Sequence, residues 1–193
     1  MTARKTSYRL IVAVSLGLLL GIPAAAQRLA VKTNVLSWAA GTPDLGVELV
    51  TGERTSLSFS VFGSYNPYWR DKSAGESSTS FLVLQPEFRF WFNGRPLTRF
   101  YAGVNALAAA YDFPLSGILH KGNAAGVGFT AGYVFNLTKR LDLALSAGAG
   151  AVYYWGKRQP WEIPLPKEDE MPQTCGYKLM PTQLGVTLVY IIR

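Results

Sequence analysis

The chain has a single histidine, His120, and shortly upstream of it stand Asp112 and Ser116. Acid, hydroxyl and imidazole are the parts of a nucleophilic triad, in which the imidazole takes the hydroxyl proton and the carboxylate orients the imidazole. All three fall in one polar stretch, 112–123, where such a grouping is close to chance. A solvated loop histidine is therefore the preferred reading, and catalysis at these residues the lesser one.

A second set of charges stands among apolar neighbours. Lys32, Glu48, Glu87, Arg89 and Asp142 all fall on the small or polar side of alternating segments. Such a set can form an ion path, or a plug of salt bridges that satisfies buried polar groups. The plug is favoured, because buried charges persist mainly when paired. A third set, Trp155, Trp161 and Tyr177, brackets a stretch rich in proline with the acidic run Glu168-Asp169-Glu170, which suits a recognition surface.

Other chemistry is narrowed by what the chain lacks. One Cys, Cys175, and one His exclude an internal disulfide and any multi-thiolate or two-imidazole metal site, so no metal or cofactor is expected. The glycine-rich run Gly122–Gly128 lacks the Lys-Ser/Thr of a phosphate loop and leads into a strand, which makes room or curvature the better role.

The elements that position these residues follow from a period of two. Leu184, Val186, Leu188 and Tyr190 alternate with Gln183, Gly185, Thr187 and Val189; Val127, Phe129, Ala131, Tyr133 and Phe135 alternate with Gly126, Gly128, Thr130 and Gly132. Leu82, Leu84, Pro86, Phe88, Phe90 and Phe92 alternate with Val83, Gln85, Glu87, Arg89 and Trp91. Eight strands are predicted at 30–38, 44–51, 55–65, 81–92, 99–111, 124–136, 141–155 and 181–191. Short turns (52–54, 93–98, 137–140) alternate with long connections (66–80, 112–123, 156–180), the exception being 39–43. Even strand number and this alternation of lengths predict an all-β, antiparallel, up-and-down transmembrane β-barrel.

Composition agrees. The 193 residues are 49% hydrophobic and only 16% charged, with 19 Gly, 10 Tyr, 10 Phe and 5 Trp, a strand-and-turn vocabulary. Arg4, Lys5 and Arg9, the apolar run Leu10–Leu20 and the small residues Pro23–Ala26 have the order of a secretory signal peptide. Residues 1–26 are thus read as leader and 27–193 as the barrel domain.

Losing the leader's three cations lowers the formal charge from +7 to +4. Most of that excess collects at the short turns, in Arg28, Arg54, Arg95, Arg99, Lys139, Arg140 and Arg193, a rim able to meet anionic headgroups. Exported rim charge of this kind excludes nucleic acid as a partner. Aromatics gather in two predicted girdles. Trp38, Tyr65, Tyr68, Trp69, Phe81, Tyr111, Tyr153, Tyr154 and Trp155 lie at the loop side; Phe90, Phe92, Phe100, Phe135 and Tyr190 lie at the turn side.

Three blocks carry a resemblance: Lys32-Thr33-Asn34-Val35-Leu36, Gln85-Pro86-Glu87-Phe88-Arg89-Phe90-Trp91-Phe92, and Pro181 through Tyr190. With Gly132-Tyr133 and Leu137-Thr138-Lys139-Arg140, the sequence resembles a domain-of-unknown-function family of small outer-membrane β-barrels from gut and oral Gram-negative bacteria. The family pattern tends to carry a Glu in the seventh strand, where this chain has Ala144. The resemblance implies an outer-membrane location, no established enzymatic activity, and gene neighbours that include surface-fimbria components.

Gln183, Gly185, Leu188 and Tyr190 further fit the terminal signal read by the barrel-assembly machinery. The expected role is structural or interactive, through external loops touching lipopolysaccharide or a surface or fimbrial protein. A lipid A-modifying enzyme (acyl transfer or deacylation) using His120, Ser116 and Asp112, or a narrow channel, are the alternatives. Because an eight-stranded barrel has room for little beyond side chains, the lumen is expected to be filled by residues including Lys32, Asn34, Glu48, Phe62, Glu87, Arg89, Trp91 and Gln183, with glycines 126, 128, 132, 148 and 150 able to open a pocket near one end.

Overall fold

The computed structural model describes residues 28–66, 79–115, 118–160 and 173–192. Eight strands, β1 (Leu29–Asn34), β2 (Asp44–Val50), β3 (Thr55–Asn66), β4 (Thr79–Trp91), β5 (Arg99–Leu115), β6 (Ile118–Asn136), β7 (Leu141–Pro160) and β8 (Gln173–Ile191), pair antiparallel with their chain neighbours. Pairing of β1 with β8 closes the ring into a barrel. Because side chains alternate across each strand, the register places Lys32, Glu48, Ser58, Glu87 and Asn105 toward the lumen, with the apolar residues between them facing out.

The wall is uneven. β1 and β2 have 6 and 7 residues, whereas β5 to β8 have 17 to 20. The first predicted strand therefore ends early, at Asn34 rather than 38, and Val35–Ala39 form a one-turn helix, α1. Asn34 causes the change: its Oδ1 accepts from Leu36 N at 3.1 Å as an N-cap, and Gly41, at φ 71°, turns the chain out toward Pro43.

Of the stretches 112–123 and 156–180, expected as long loops, the described residues 112–115, 118–123, 156–160 and 173–180 are strand instead. β5 and β6 stay paired to Leu115↔Ile118, and β7 and β8 to Lys157↔Gln173. A Gly–Gly pair across β6 and β7, Gly122↔Gly156, lies in this extension, and a second, Gly128↔Gly150, lies deeper in the wall. A Cβ on Gly150 would lie 2.2 Å from the Val127 carbonyl oxygen, so only glycine lets the wall bend there. The predicted leader, 1–26, and the girdle residues Tyr68 and Trp69 lie outside the described residues.

The outer surface is apolar over much of its height. Val127, Phe129, Leu184, Leu45 and Leu179 are all more than 60% exposed. Phe90, Phe92, Phe100, Phe135 and Tyr190 also face out near the short turns, with edge contacts such as Phe90–Phe92 at 5.5 Å. At the other end, Tyr111 and Tyr154 line the lumen rather than join an outer girdle, which follows from their parity in β5 and β7.

Candidate functional site: the barrel lumen

At the turn side the lumen is stoppered by Ala30, Val50, Leu97, Val134, Ala144 and Val189. Leu97 comes from the β4–β5 turn, where it and Arg99 adopt positive φ (62° and 59°). That backbone is costly for a β-carbon residue. The burial of Leu97, with its carbonyl accepting from Asn136 Nδ2 at 3.3 Å, holds the turn folded under the barrel.

Above the stopper lies the charged layer. Arg89 donates from Nη1 to Glu48 Oε2 and from Nη2 to Glu87 Oε2, each at 2.6 Å. The remaining oxygens are also used: Ser56 Oγ donates to Glu48 Oε1 at 2.6 Å, and Thr130 Oγ1 to Glu87 Oε1 at 2.5 Å. Trp91 Nε1 donates to Ser56 Oγ at 2.9 Å, and Lys32 Nζ donates to Ser58 Oγ. Tyr101 completes the cross-section, its ring 4.9 Å from that of Trp91 and 4.5 Å from the Arg89 guanidinium carbon. Two cations and two carboxylates thus balance within one hydrogen-bonded layer, the condition under which buried charge is tolerated.

Of the sequence-predicted network, Lys32, Glu48, Glu87 and Arg89 share this layer. Asp142 is buried elsewhere, bonded by Asn136 Nδ2 at 2.8 Å near the β6–β7 turn. The reading from sequence did not single out Ser56, Ser58, Thr130 or Tyr101. The signal was present in parity, since Ser56 and Ser58 alternate with Leu57 and Phe59 in β3, and Thr130 and Tyr101 fall on lumen-facing positions.

A polar layer follows. A β-bulge between β7 and β8 at Gly148/Ala149 leaves Thr182 as the extra residue. Its Oγ1 accepts from Asn105 Nδ2 at 3.3 Å and its carbonyl from Gln85 Nε2 at 3.0 Å. Beyond it, filling stops. A cavity of about 540 Å³ occupies the loop-side half of the lumen, bounded below by Phe62, Gln85 and Thr182. A smaller one of about 270 Å³ lies beside Lys32, Asn34, Asp44 and Gln183.

The hydroxyl–imidazole–carboxylate set is not gathered on one face. His120 belongs to β6, not to a loop, and lines the larger cavity. Asp112 pairs in register with Lys121, the neighbour of His120, and so stands on the opposite face of the wall. Ser116 lies outside the described residues.

Trp155 and Tyr177 likewise sit on strands. They stand on the outer face of β7 and β8, bridged by Tyr153, whose ring lies 5.6 Å from Trp155 and 4.7 Å from Tyr177. Cys175, a free and exposed thiol, pairs in register with Trp155. Trp161 lies outside the described residues.

Fold and lumen together define a closed eight-stranded, up-and-down barrel whose interior is packed at one end and hollow at the other. A family model described as Protein of unknown function (DUF3575) matches residues 10–192, and the chain belongs to that family. No curated protein and no solved structure matches it.

Proposed function

We propose that this chain is a non-enzymatic outer-membrane barrel of a Gram-negative bacterium, released from its leader after Ala26 and inserted by the barrel-assembly machinery. Its role in this reading is structural or interactive, exercised at the loop-side end toward lipopolysaccharide or a surface or fimbrial protein. The observation that carries it is the pairing of an apolar outer wall with a lumen sealed by ion pairs. Contiguous exposed apolar surface on this scale is foreign to soluble monomers.

The dimensions support the same reading. Leu145, level with Tyr133, and Trp155 are ten residues apart on β7. At ~3.4 Å per residue and a tilt of ~45°, that is about 24 Å of height, against an apolar band of about 25 Å in such barrels. Turn-side cations, Arg54, Arg95, Lys139 and Arg140 among them, suit the inner leaflet's headgroups. Acyl transfer draws no support from His120 and Asp112 on opposite faces, nor a channel from the sealed layer.

The test is fractionation with conductance. The mature protein is expected to begin at Gln27, to partition with outer membranes, to shift in gel mobility on heating, and to give no unitary steps in planar bilayers. Recovery as a soluble periplasmic protein would refute the location. Stable steps altered by Arg89→Ala would refute the seal.

A further inference from the structure

The outer wall carries a hollow of its own, on the turn-side half of the barrel and separate from the lumen. Across β6 and β7 the outward rows pair Tyr133 with Leu145 and Ala131 with Ala147, and β8 continues them with Val186 and Leu184. The alanines lie flush with the sheet while their neighbours stand proud of it. A trough of about 460 Å³ therefore runs over Ala131 and Ala147, bounded on the turn side by Tyr133, Leu145 and Phe100 and at one end by Leu184 and Leu36. Leu36 is there because Asn34 caps α1 and turns the chain out of β1, so that the helix, rather than a longer strand, lies against β8. The outward side chains of the trough are apolar apart from the Tyr133 hydroxyl.

Three cations stand next to it on the turn side. Arg99 precedes Phe100, and Lys139 and Arg140 belong to the turn that joins β6 to β7. All three are exposed, and among the described residues none of them is in a salt bridge. Asp142, the carboxylate nearest in sequence, is buried in the lumen and bonded by Asn136 Nδ2 at 2.8 Å. Glu53 shares the β2–β3 turn with Arg54, across the ring from β6 and β7. Residues 1–27 and 193, which adjoin the turn-side ends of β1 and β8, hold no Asp or Glu, and the acids of 67–78 and 161–172 belong to connections at the other end. Arg140 is five residues from Leu145 along the chain, about 12 Å of height at ~3.4 Å per residue and a tilt of ~45°. The polar layer of a bilayer is about 5–8 Å deep on each side of its hydrocarbon, so long basic side chains reach back from the turn to its phosphates.

An apolar trough that opens toward these cations is complementary to a chain carrying a negative head. We propose that one anionic glycerophospholipid of the inner leaflet docks here, with an acyl chain in the trough over Ala131 and Ala147 and its phosphate at Arg99, Lys139 and Arg140. Such docking rests on the outer-membrane location proposed above, and adds to it a lipid class and a side of the barrel. A zwitterionic lipid fills the trough equally well but brings a positive charge of its own to the cations. A free phosphate leaves the trough unfilled. Lipopolysaccharide belongs, in that location, to the leaflet at the loop side.

Titration of the full mature chain in neutral detergent micelles, with retained lipid counted by native mass spectrometry, tests it with dioleoylphosphatidylglycerol and dioleoylphosphatidylcholine as probes. One phosphatidylglycerol per barrel is expected to be retained in preference to phosphatidylcholine, with glycerol phosphate unable to displace it. Lys139→Gln with Arg140→Gln is expected to weaken phosphatidylglycerol by about 25-fold, at roughly fivefold for each basic residue facing an anionic surface, and to leave phosphatidylcholine unchanged. Ala147→Phe fills the trough from a lipid-facing position with the cations in place, and is expected to weaken both lipids. Equal retention of the two lipids by the wild-type barrel overturns the proposal. So does displacement by glycerol phosphate, or a preference that both variants leave intact. Insertion into vesicles of dioleoylphosphatidylcholine, read by the mobility shift on heating, scores the location separately. A chain that inserts but shows no preference loses this site alone, whereas one that does not insert loses the location and the site together.

Discussion

Replacing Arg89 by Met tests the sealed layer at its centre. Methionine keeps much of the stem's bulk but removes both 2.6 Å bonds, to Glu48 and to Glu87. These carboxylates are 0% and 3% exposed and would keep only the neutral donors Ser56 and Thr130, with Lys32 the one cation left in the layer. Stranding one member of a buried pair costs about 3–5 kcal/mol, about a fifth or more of a total stability of roughly 5–15 kcal/mol. The informative comparison is Glu48→Gln with Arg89→Met, which leaves Lys32 and Glu87 as one cation and one anion. The double variant is expected to recover most of the loss and to lie within about 1–2 kcal/mol of wild type. Urea unfolding of the reconstituted protein, followed by tryptophan fluorescence and by the compact band on unheated gels, measures both. If Arg89→Met lies within about 1 kcal/mol of wild type, or the double variant is less stable than the single, the account of balanced charge is wrong.

Other perturbations probe the wall. Gly150→Ala would place a Cβ 2.2 Å from the Val127 carbonyl oxygen and 2.5 Å from Gly128 Cα; a loss of about 1–3 kcal/mol is expected, whereas Gly41→Ala, with open space around it, should cost only about 1 kcal/mol through its positive φ. Equal losses in the two would remove the role given to the paired glycines. Asn34→Ala deletes acceptance from Leu36 N and Val186 N and donation to Leu184 O, all at 3.1 Å. It is expected to cost about 1–3 kcal/mol, with amide exchange accelerated at Val186 ahead of β6. Leu97→Gly relieves a strained φ but opens the stopper; net destabilisation of about 1–3 kcal/mol is expected, because loss of a buried Leu outweighs the strain, and a stabilised variant would reverse that ranking.

Period-two alternation was enough to assign faces in β4, β6 and β8, since a one-residue slip would have put Phe88 and Phe90 inside and Arg89 outside. It also put Glu48, Glu87 and Arg89 on one surface. What alternation lacks is a ruler for strand ends. Pro114, Pro160, Gly122, Gly156 and Gly176, with Lys121, Lys157 and Lys178, carry the composition of loops, yet β5 to β8 run through them because the partner strand offers a matched glycine or a bulge. At β1 the opposite happened: Val35-Leu36-Ser37-Trp38 continues an apolar pattern, and one side-chain bond from Asn34 turned it into helix. A hollow near one end was expected from glycines 126, 128, 132, 148 and 150, but its lining was not legible: none of those glycines lines the cavity, which is walled by Val83, Leu107, Ala109, Ala124 and Val152. Its depth was not legible either, because the floor depends on a bulge at Thr182 and on Phe62, brought together from distant parts of the chain.

The seam where the ring closes bears on the order of events in folding. Every other backbone ladder joins chain neighbours, while β1 pairs with β8 only from Ala30 to Asn34 against Thr187 to Ile191, across nearly the whole sequence. Such closure has the largest loop entropy to overcome and only five paired positions to repay it. The long hairpins from β5 to β8 can therefore form while the cylinder is still a curved sheet. The charged layer does not wait for that step, since Lys32 is carried on the β1–β2 hairpin and its partners stand on β2 to β6. In native-state hydrogen exchange the amides of β1 should be released first and those of β6 and β7 last. The protein then behaves less as a rigid tube than as a curved sheet held shut by a short seam.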